Sequence, residues 1–393
     1  MSIKDRIAIV GVGCTKFGES FHKSYDDLIV DAAYEAFEDA KIGPEEVQAA
    51  WLSTAFPDAG VFKGRSGMDL AEPLALFDIP ITRVSNYCAS GQDALKNACA
   101  AVMSGDVKVA LALGVEKLRD RPPRDSLVAM TVNGGHPFFQ KGVTAPGQFA
   151  ILATRHFHTF GTTKEHLALI SVKNHRNGAR NPLAHYQAEV SLETVLRAPP
   201  VAEPLGVLDC CPTTDGAAAA IVVRTEDARS FRDDYVTVKG LGFAVGAGYD
   251  SPFYDPGYDF VHYRAAQVAS RAAYEQAGIK NPRQELDLAE VHDCFSIAEL
   301  IAYEDLGFCE KGQGGRFIAE GRPTLEGDLP VNTSGGLLSF GHPIGATGLR
   351  MIYHITKELQ GKAGSLQVKN AHLGLAYNLG GPGAVAAVTI LGI

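Results

Sequence analysis

The chain carries one α/β unit twice, and a duplicated strand–helix–strand unit leaves few ways to build a core. A strand at Ile7 to Val12 leads to an apolar-striped helix from Leu28 to Gly43 and then to a strand from Ala50 to Thr54. A second strand, Val236 to Gly246, leads to a helix from Gln267 to Lys280 and then to the strand Ala289 to Cys294. The triplet Ala-Tyr-Glu begins at Ala33 and again at Ala273, 240 residues apart, and the same offset sets Ala50 against Glu290 in the next strand. Each half closes on a further strand, Val107 to Gly114 in the first and Gly383 to Leu391 in the second. Strands alternating with helices predict an α/β architecture of mainly parallel sheets covered on both faces. Functional groups of such folds gather where loops leave the strand ends.

The first half is interrupted, roughly from Glu116 to Asp209, by a segment richer in His, Pro, Asn and Arg. It includes Arg119-Asp-Arg-Pro-Pro-Arg124, Gly134-Gly-His-Pro-Phe-Phe139 and Lys173-Asn-His-Arg-Asn-Gly-Ala-Arg180. Two readings stand: solvated loops, or a lid whose cations meet a phosphorylated ligand. The expected division is an N-terminal half over 1–118 completed by 210–235, an inserted loop domain over 119–209, and a C-terminal half over 236–393.

At 393 residues the chain is too long for one ordinary core. No apolar run approaches the ~20 residues of a membrane span. The start runs straight into a strand without a signal-peptide pattern, so an intracellular, cytoplasmic protein is expected. A net charge of −9 speaks against a nucleic-acid or anionic-membrane partner. The seven cysteines are unevenly spaced and include no Cys-x-x-Cys pair, which argues against a disulfide framework and against a metal site. Cys210 and Cys211 read as buried.

Cys88 lies in Val84-Ser-Asn-Tyr-Cys-Ala-Ser-Gly91, where an apolar strand gives way to a helix-patterned stretch from Gln92 to Met103. A helix N-terminus can draw a cysteine pKa from ~8.5 toward neutrality and make it a nucleophile. His342 sits in the glycine-rich stretch Ser334 to Gly348, ahead of another helix pattern, and can take a thiol proton or donate to an oxyanion. A second cysteine, Cys294, lies in His292-Asp-Cys-Phe295 at the end of the second half's strand, before an apolar helix from Ile297 to Leu306. The turn Asn378-Leu-Gly-Gly-Pro-Gly383 could offer N–H groups to an oxyanion. Taken singly, each cysteine also suits a structural core position and His342 a loop cap.

In this order on a duplicated chain, Asn86-Tyr-Cys-Ala-Ser-Gly91, His292-Asp-Cys-Phe295, Gly341-His-Pro-Ile-Gly-Ala-Thr-Gly348 and Asn378 to Gly383 resemble the thiolase superfamily over essentially the full length. The resemblance implies two βαβαβαββ halves in a five-layer α-β-α-β-α arrangement with a loop domain inserted in the first. It implies that Cys88 forms an acyl-enzyme, that His342 activates it and helps bind the thioester oxygen, and that the amides of Cys88 and Gly380 form an oxyanion hole. Thiolases of the degradative and biosynthetic kind have Asn-Glu-Ala-Phe where this chain has His292 to Phe295, and a catalytic cysteine in place of Asn378. Both departures resemble the sterol-carrier-protein branch and its archaeal and bacterial relatives. Cys294 then inherits the acid/base role, and His292 takes the place of the asparagine that anchors an oxyanion-hole water.

The implied reaction is CoA-dependent thiolysis of a 3-oxoacyl-CoA, or the reverse condensation. No permanently bound cofactor is expected, and coenzyme A enters as co-substrate. The implied assembly is a homodimer or higher, paired through the sheet edge near the nucleophile strand with the run Val107 to Gly114. Met130 to His136 would shape the partner's site, and any zinc would belong to a small zinc-ribbon/OB-fold partner. The acyl group stays open, with Phe138, Phe139, Phe149, Tyr249, Phe253 and Tyr254 as possible pocket walls or core. The rival readings are a ketosynthase-like condensing enzyme, which pairs its cysteine with His-His or His-Asn and has no second catalytic thiol, a non-catalytic subunit, and a Cys/His hydrolase lacking a visible third residue.

Overall fold

The structure, a computed structural model, describes residues 2–57, 60–122, 144–248 and 254–393. Its strands are β1 (Ile7–Cys14), β2 (Ala49–Ser53), β3 (Ile81–Val84), β4 (Ala110–Glu116), β5 (Pro200–Ala202), β6 (Leu205–Gly206), β7 (Gly216–Arg224), β8 (Val236–Val245), β9 (Leu288–Glu290), β10 (Leu373–Gly380) and β11 (Val385–Gly392). Nine of them form one sheet in the order β3-β2-β4-β7-β1-β8-β11-β10-β9, and β5 pairs with β6. The β1–β8 contact consists of Ala8 opposite Thr237 and Ile9 opposite Val236. The sheet is therefore two half-sheets joined at a narrow seam.

The expectation of mainly parallel pairing is corrected. Among the described strands β2–β3, β2–β4 and β9–β10 are parallel, whereas β4–β7, β7–β1, β1–β8, β8–β11 and β11–β10 are antiparallel. Each half inserts its last strand, β7 or β11, between neighbours that run the other way.

The helix Tyr25–Ala40 starts on a capping box, in which the Ser24 hydroxyl accepts from the Asp27 amide and the Asp27 carboxylate accepts from the Ser24 amide. It packs on β1, β4 and β7 and closes an apolar cluster with Ala8, Val10, Leu52, Leu113 and Val223. The helices Ser90–Ser104 and Thr347–Leu359 touch each other and reach strands of both halves, forming the middle layer. The helix Arg264–Ala277 covers β8 and β11 on the face opposite the middle layer, where Thr389 of β11 donates to Gln92. This is the five-layer arrangement that the resemblance implied.

The duplication is also visible in atomic contacts. A Cβ on Gly11 or Gly13 would fall 2.3 Å from the Ala36 carbonyl oxygen or 2.1 Å from that of Ala32. On Gly240 or Gly242 it would fall 2.2 Å from the Ala273 oxygen or 1.8 Å from that of Ala269. Equivalent helix positions, Ala32 with Ala269 and Ala36 with Ala273, are thus 237 residues apart. The offset of 240 read from the Ala-Tyr-Glu triplets is displaced by about one helical turn.

Between β4 and β7 the described part of the insertion holds two packed helices followed by a loop stretch over 179–191, so it is only in part the solvated loop expected. Ala145–Phe160 and Lys164–Gly178 both rest on Ser296–Asp305, and the second also on Gly314–Ala319 and Gly336–Phe340. Lys173, one of the cations considered for a ligand, is buried 2.8 Å from Glu299 and donates to the Val331 carbonyl at 2.6 Å. Arg119 pairs with Glu19, and Arg121 lies 4.3 Å over the Phe62 ring. Arg124, Met130 to His136, Phe138, Phe139, Tyr249 and Phe253 lie outside the described residues. Phe149 is core, and Tyr254 is exposed.

The run Val107 to Gly114 is not an edge. Its strand, β4, lies between β2 and β7 with every residue buried, and the edge on that side is β3. Among the described residues no helix is long and apolar enough to cross a membrane.

Candidate active site

Beyond β3 the chain turns sharply, with Tyr87 at φ +50°, a conformation that costs a non-glycine residue of order 1 kcal/mol. The Ala89 amide donates to the Asn86 carbonyl at 3.1 Å and the Ser90 amide to the Tyr87 carbonyl at 3.2 Å, closing the turn. Cys88 thus stands half-buried, two residues ahead of the helix Ser90–Ser104, as its sequence setting predicts. Burial pushes its thiol up to about 12, against the pull of the Gly381 amide. The expected lowering by the helix terminus is overridden, because desolvation disfavours the thiolate by more than the N–H groups return.

His342 faces Cys88 from the second half, its Nε2 3.2 Å from Sγ. Its Nδ1 lies 2.7 Å from Thr347 Oγ1, which donates its own proton to the Pro343 carbonyl at 3.1 Å. The Thr347 oxygen therefore accepts from Nδ1–H, leaving the Nε2 lone pair toward Cys88. Burial, then the Arg350 charge, push His342 down to about 3. The resting pair is a neutral thiol and a neutral imidazole.

The loop carrying His342 is pinned by its glycines and one carboxylate. A Cβ on Gly345 would fall 2.6 Å from the Ser53 carbonyl oxygen. At the end of β4, Glu116 is buried and accepts from the amides of Gly345 at 2.8 Å, Ala55 at 3.0 Å and Phe56 at 3.1 Å, and from the Thr54 hydroxyl at 2.9 Å.

The segment His292 to Phe295 follows β9. Asp293 accepts from the amides of Leu337 at 2.6 Å and Leu338 at 3.1 Å and from Asn174 Nδ2 at 2.7 Å, tying this segment to the glycine-rich loop and the insertion. The rings of His292 and His342 meet edge to face, centroids 5.1 Å apart. His292 Nδ1 lies 3.0 Å from Asn378 Nδ2. Burial, His342 and Arg350 hold His292 well below the usual imidazole range. One ligand-type atom each from Cys88, His292 and His342 lies within 4.8 Å of the others, an assembly of residues from three distant segments that sequence spacing cannot show.

Cys294 is buried, and its thiol is held well above the ordinary range by burial and by the neighbouring thiols of Cys211 and Cys88. The Cys211 amide donates to the Cys294 carbonyl at 3.0 Å. Cys210 and Cys211, expected to be buried, are half-exposed. Phe149 of the insertion stacks on Phe295 at 4.5 Å, roofing the segment. Gly380 ends β10 so close to the nucleophile turn that a Cβ there would fall 2.7 Å from the Asn86 carbonyl oxygen. The structure thus gathers Cys88, His292, His342, Cys294 and Gly380 at one place.

Sequence reasoning missed the supports: Glu116, Thr347, the Asn378 contact, and the buried Arg350–Glu290 pair under the loop. A usable signal was present, since Glu116 and Glu290 interrupt apolar strands where a carboxylate survives only with partners.

With the thiol near 12, alkylation of Cys88 by iodoacetamide is expected to accelerate continuously from pH 6 to 10, as the thiolate fraction grows. A plateau near neutral pH, measured by peptide mass spectrometry, would show a standing thiolate instead.

Family models for the thiolase N-terminal domain and for a thiolase C-terminal domain-like region match residues 7–226 and 250–393. The chain is 40% identical over 388 residues to an acetyl-CoA acetyltransferase of Methanothermobacter thermautotrophicus, covering 98% of each chain. It is 35% identical over 398 residues to human sterol carrier protein 2, covering 97% of this chain and 71% of that one. A solved chain described as "Ltp2-ChsH2(DUF35) aldolase" superimposes with a TM-score of 0.84 at 27% identity, covering 100% of this chain and 99% of that chain.

Proposed function

The chain belongs to the thiolase family and is an acyltransferase, and from that premise we propose that it cleaves a 3-oxoacyl-CoA with coenzyme A, or runs the reverse condensation, through an acyl-enzyme on Cys88. The 3.2 Å contact between Cys88 Sγ and the His342 Nε2 lone pair carries this reading.

In cleavage, Cys88 passes its proton to His342 Nε2 as Sγ attacks the 3-oxo carbon, and the amides of Cys88 and Gly380 receive the oxyanion. The bond between C2 and C3 then breaks. Its electron pair becomes the enolate of acetyl-CoA or a related thioester, whose oxygen is held by the N–H groups of His342 and His292. Cys294 gives its proton to the enolate carbon. The Cys294 thiolate next takes the proton of an incoming CoA thiol, which attacks the acyl-enzyme, releases the acyl-CoA and restores Cys88 with the proton stored on His342. Each oxyanion donor supplies ~3–4 kcal/mol in comparable acyl-transfer sites. Coenzyme A is a co-substrate here, and no resident cofactor enters the scheme. The reading carries the division into halves over 1–118 with 210–235 and over 236–393, with a loop domain over 119–209.

The experiment is a screen of 3-oxoacyl-CoA thioesters of linear, branched and aromatic acyl groups, following CoA-dependent substrate loss without carrier protein. Turnover of free CoA esters is expected. Activity confined to carrier-bound malonyl thioesters would replace this reading with a decarboxylating condensing enzyme, which the Cys88–His292–His342 trio favours as the second reading. Cys294 beside that trio weighs for thiolysis.

We also propose a homodimer through the β3 edge, four residues ahead of Cys88, together with a small zinc-ribbon/OB-fold partner; the aldolase neighbour is itself described with a second component, ChsH2(DUF35). Light scattering is expected to give at least twice the 41.8 kDa chain mass. A fully active monomer without partners would overturn both.

A further inference from the structure

We infer that Asn378 is a positioning residue that fixes His292 as its Nε2–H tautomer, so that the ring donates into the site and withholds that nitrogen from a soft metal ion. The donor role rests on the reading of His292 above, while the tautomer itself is argued from contacts alone.

An amide NH2 offers only donors, so an Asn378 Nδ2 that lies 3.0 Å from His292 Nδ1 makes Nδ1 the acceptor and leaves the ring proton on Nε2. The amide is oriented by what lies on its other side. A Cβ on Gly348 would fall 2.5 Å from Asn378 Oδ1 and 2.6 Å from the Gln92 amide nitrogen. At this spot the first turns of the helices Ser90–Ser104 and Thr347–Leu359 converge, and neither start has a side-chain cap. Oδ1 is buried there without a hydrogen-bond partner of its own, and the positive ends of the two helices favour an oxygen over an NH2 group, which leaves Nδ2 toward His292. Both Asn378 and His292 are almost fully buried, so water does not compete for these contacts.

The two histidines are therefore opposite tautomers. His342 points a lone pair at Cys88, through Thr347. His292 carries its N–H on Nε2, through Asn378. The distinction matters because thiolate plus two imidazoles is a donor set that zinc accepts, and the three atoms already lie within 4.8 Å. With Nδ1 accepting from Asn378 and the proton on Nε2, neither nitrogen of His292 has a free lone pair for a metal, and the trio stays a proton-transfer and donor set.

Asn378→Asp tests this directly. A carboxylate only accepts, so Nδ1 takes the proton, Nε2 is bared, and a carboxylate–histidine–metal arrangement becomes available. The variant is expected to bind one Zn2+ about 10–100-fold more tightly than the unsubstituted protein, the range by which such supporting groups change affinity. The Cys88 S–H proton is released to solvent as the Zn–S bond forms. Co2+ as probe is expected to give thiolate-to-cobalt absorption and tetrahedral d–d bands in the variant, abolished by adding Cys88→Ser. The lost donor is expected to lower kcat by about 10²–10³ with little change in KM. Asn378→Ala, offering neither donor nor acceptor, is expected to fall between. In the unsubstituted protein, 15N NMR of labelled histidine is expected to show His292 Nδ1 unprotonated and Nε2 protonated. A protonated Nδ1, or equal Co2+ binding by Asn378→Asp and the unsubstituted protein, would overturn the inference. Neither readout needs turnover, so failure of the thiolase reading would appear separately, as absence of an acyl group on Cys88.

Discussion

Cys88→Ala is expected to abolish thiolysis and condensation alike, with kcat falling on the order of 10⁶-fold, the scale on which acyl-transfer enzymes lose rate when their nucleophile is removed. Among the described residues the 3.2 Å contact with His342 Nε2 is made by Cys88, and Cys294 is buried. The fold is expected to survive, because the turn that presents Cys88 is closed by backbone bonds around Asn86, Tyr87 and Ser90 rather than by the sulfur. Mass spectrometry after incubation with acetyl-CoA is expected to find an acetyl group on Cys88 in the unsubstituted protein and none in the variant. An acyl group trapped on another residue would reassign the nucleophile. Undiminished carbon–carbon cleavage by the variant would point instead toward a retro-aldol reaction like that named for the solved neighbour, since that chemistry needs a base but no acyl acceptor.

Periodicity carries the layers of this molecule well and its electrostatics poorly. The apolar stripe from Leu28 and the strands beside it predicted the helix Tyr25–Ala40 to within three residues at either end, because burial against β1 fixes the stripe. Strand direction was not legible, since the antiparallel seats of β7 and β11 depend on return connections that leave no period in the sequence. The same blindness placed Val107 to Gly114 at an edge, although its apolar run is that of an inner strand covered on both faces. At the site, Cys88 and His342 could be read as candidates from their turns. Their neutral resting state could not, because it comes from desolvation by three-dimensional neighbours and from the Arg350 charge, which reaches His342 from a helix eight positions along. The cation-rich insertion misled for a related reason: Lys173 looks like a ligand-binding charge until Glu299, 126 residues away in sequence, is seen to occupy it.

Cys294→Ala separates the two halves of the chemistry. The variant is expected still to accept an acetyl group on Cys88, because the Cys88–His342 pair and the amides of Cys88 and Gly380 are untouched, but more slowly, since the departing CoA thiolate loses the Cys294 proton. Carbon–carbon bond formation and cleavage are expected to fall by roughly 10²–10⁴, the range for loss of a general acid/base. The reason is positional and electrostatic together. Burial and the neighbouring thiols of Cys211 and Cys88 keep Cys294 protonated at rest, so it can deliver a proton to an enolate carbon, and the site's N–H donors can stabilise that enolate only until a proton arrives. The independent readout is exchange of the α-protons of acetyl-CoA with deuterium oxide, which requires the proton shuttle but no carbon–carbon bond. Exchange is expected in the unsubstituted protein and not in Cys294→Ala, while Asn378→Ala is expected to keep most of it, because the amide positions His292 and carries no exchangeable acid. A decarboxylating condensing enzyme would tolerate Cys294→Ala, since carbon dioxide loss generates its carbanion without a thiol base. Equal damage from Asn378→Ala and Cys294→Ala would show that the proton travels through the His292 side of the site, and would move the acid/base role away from Cys294.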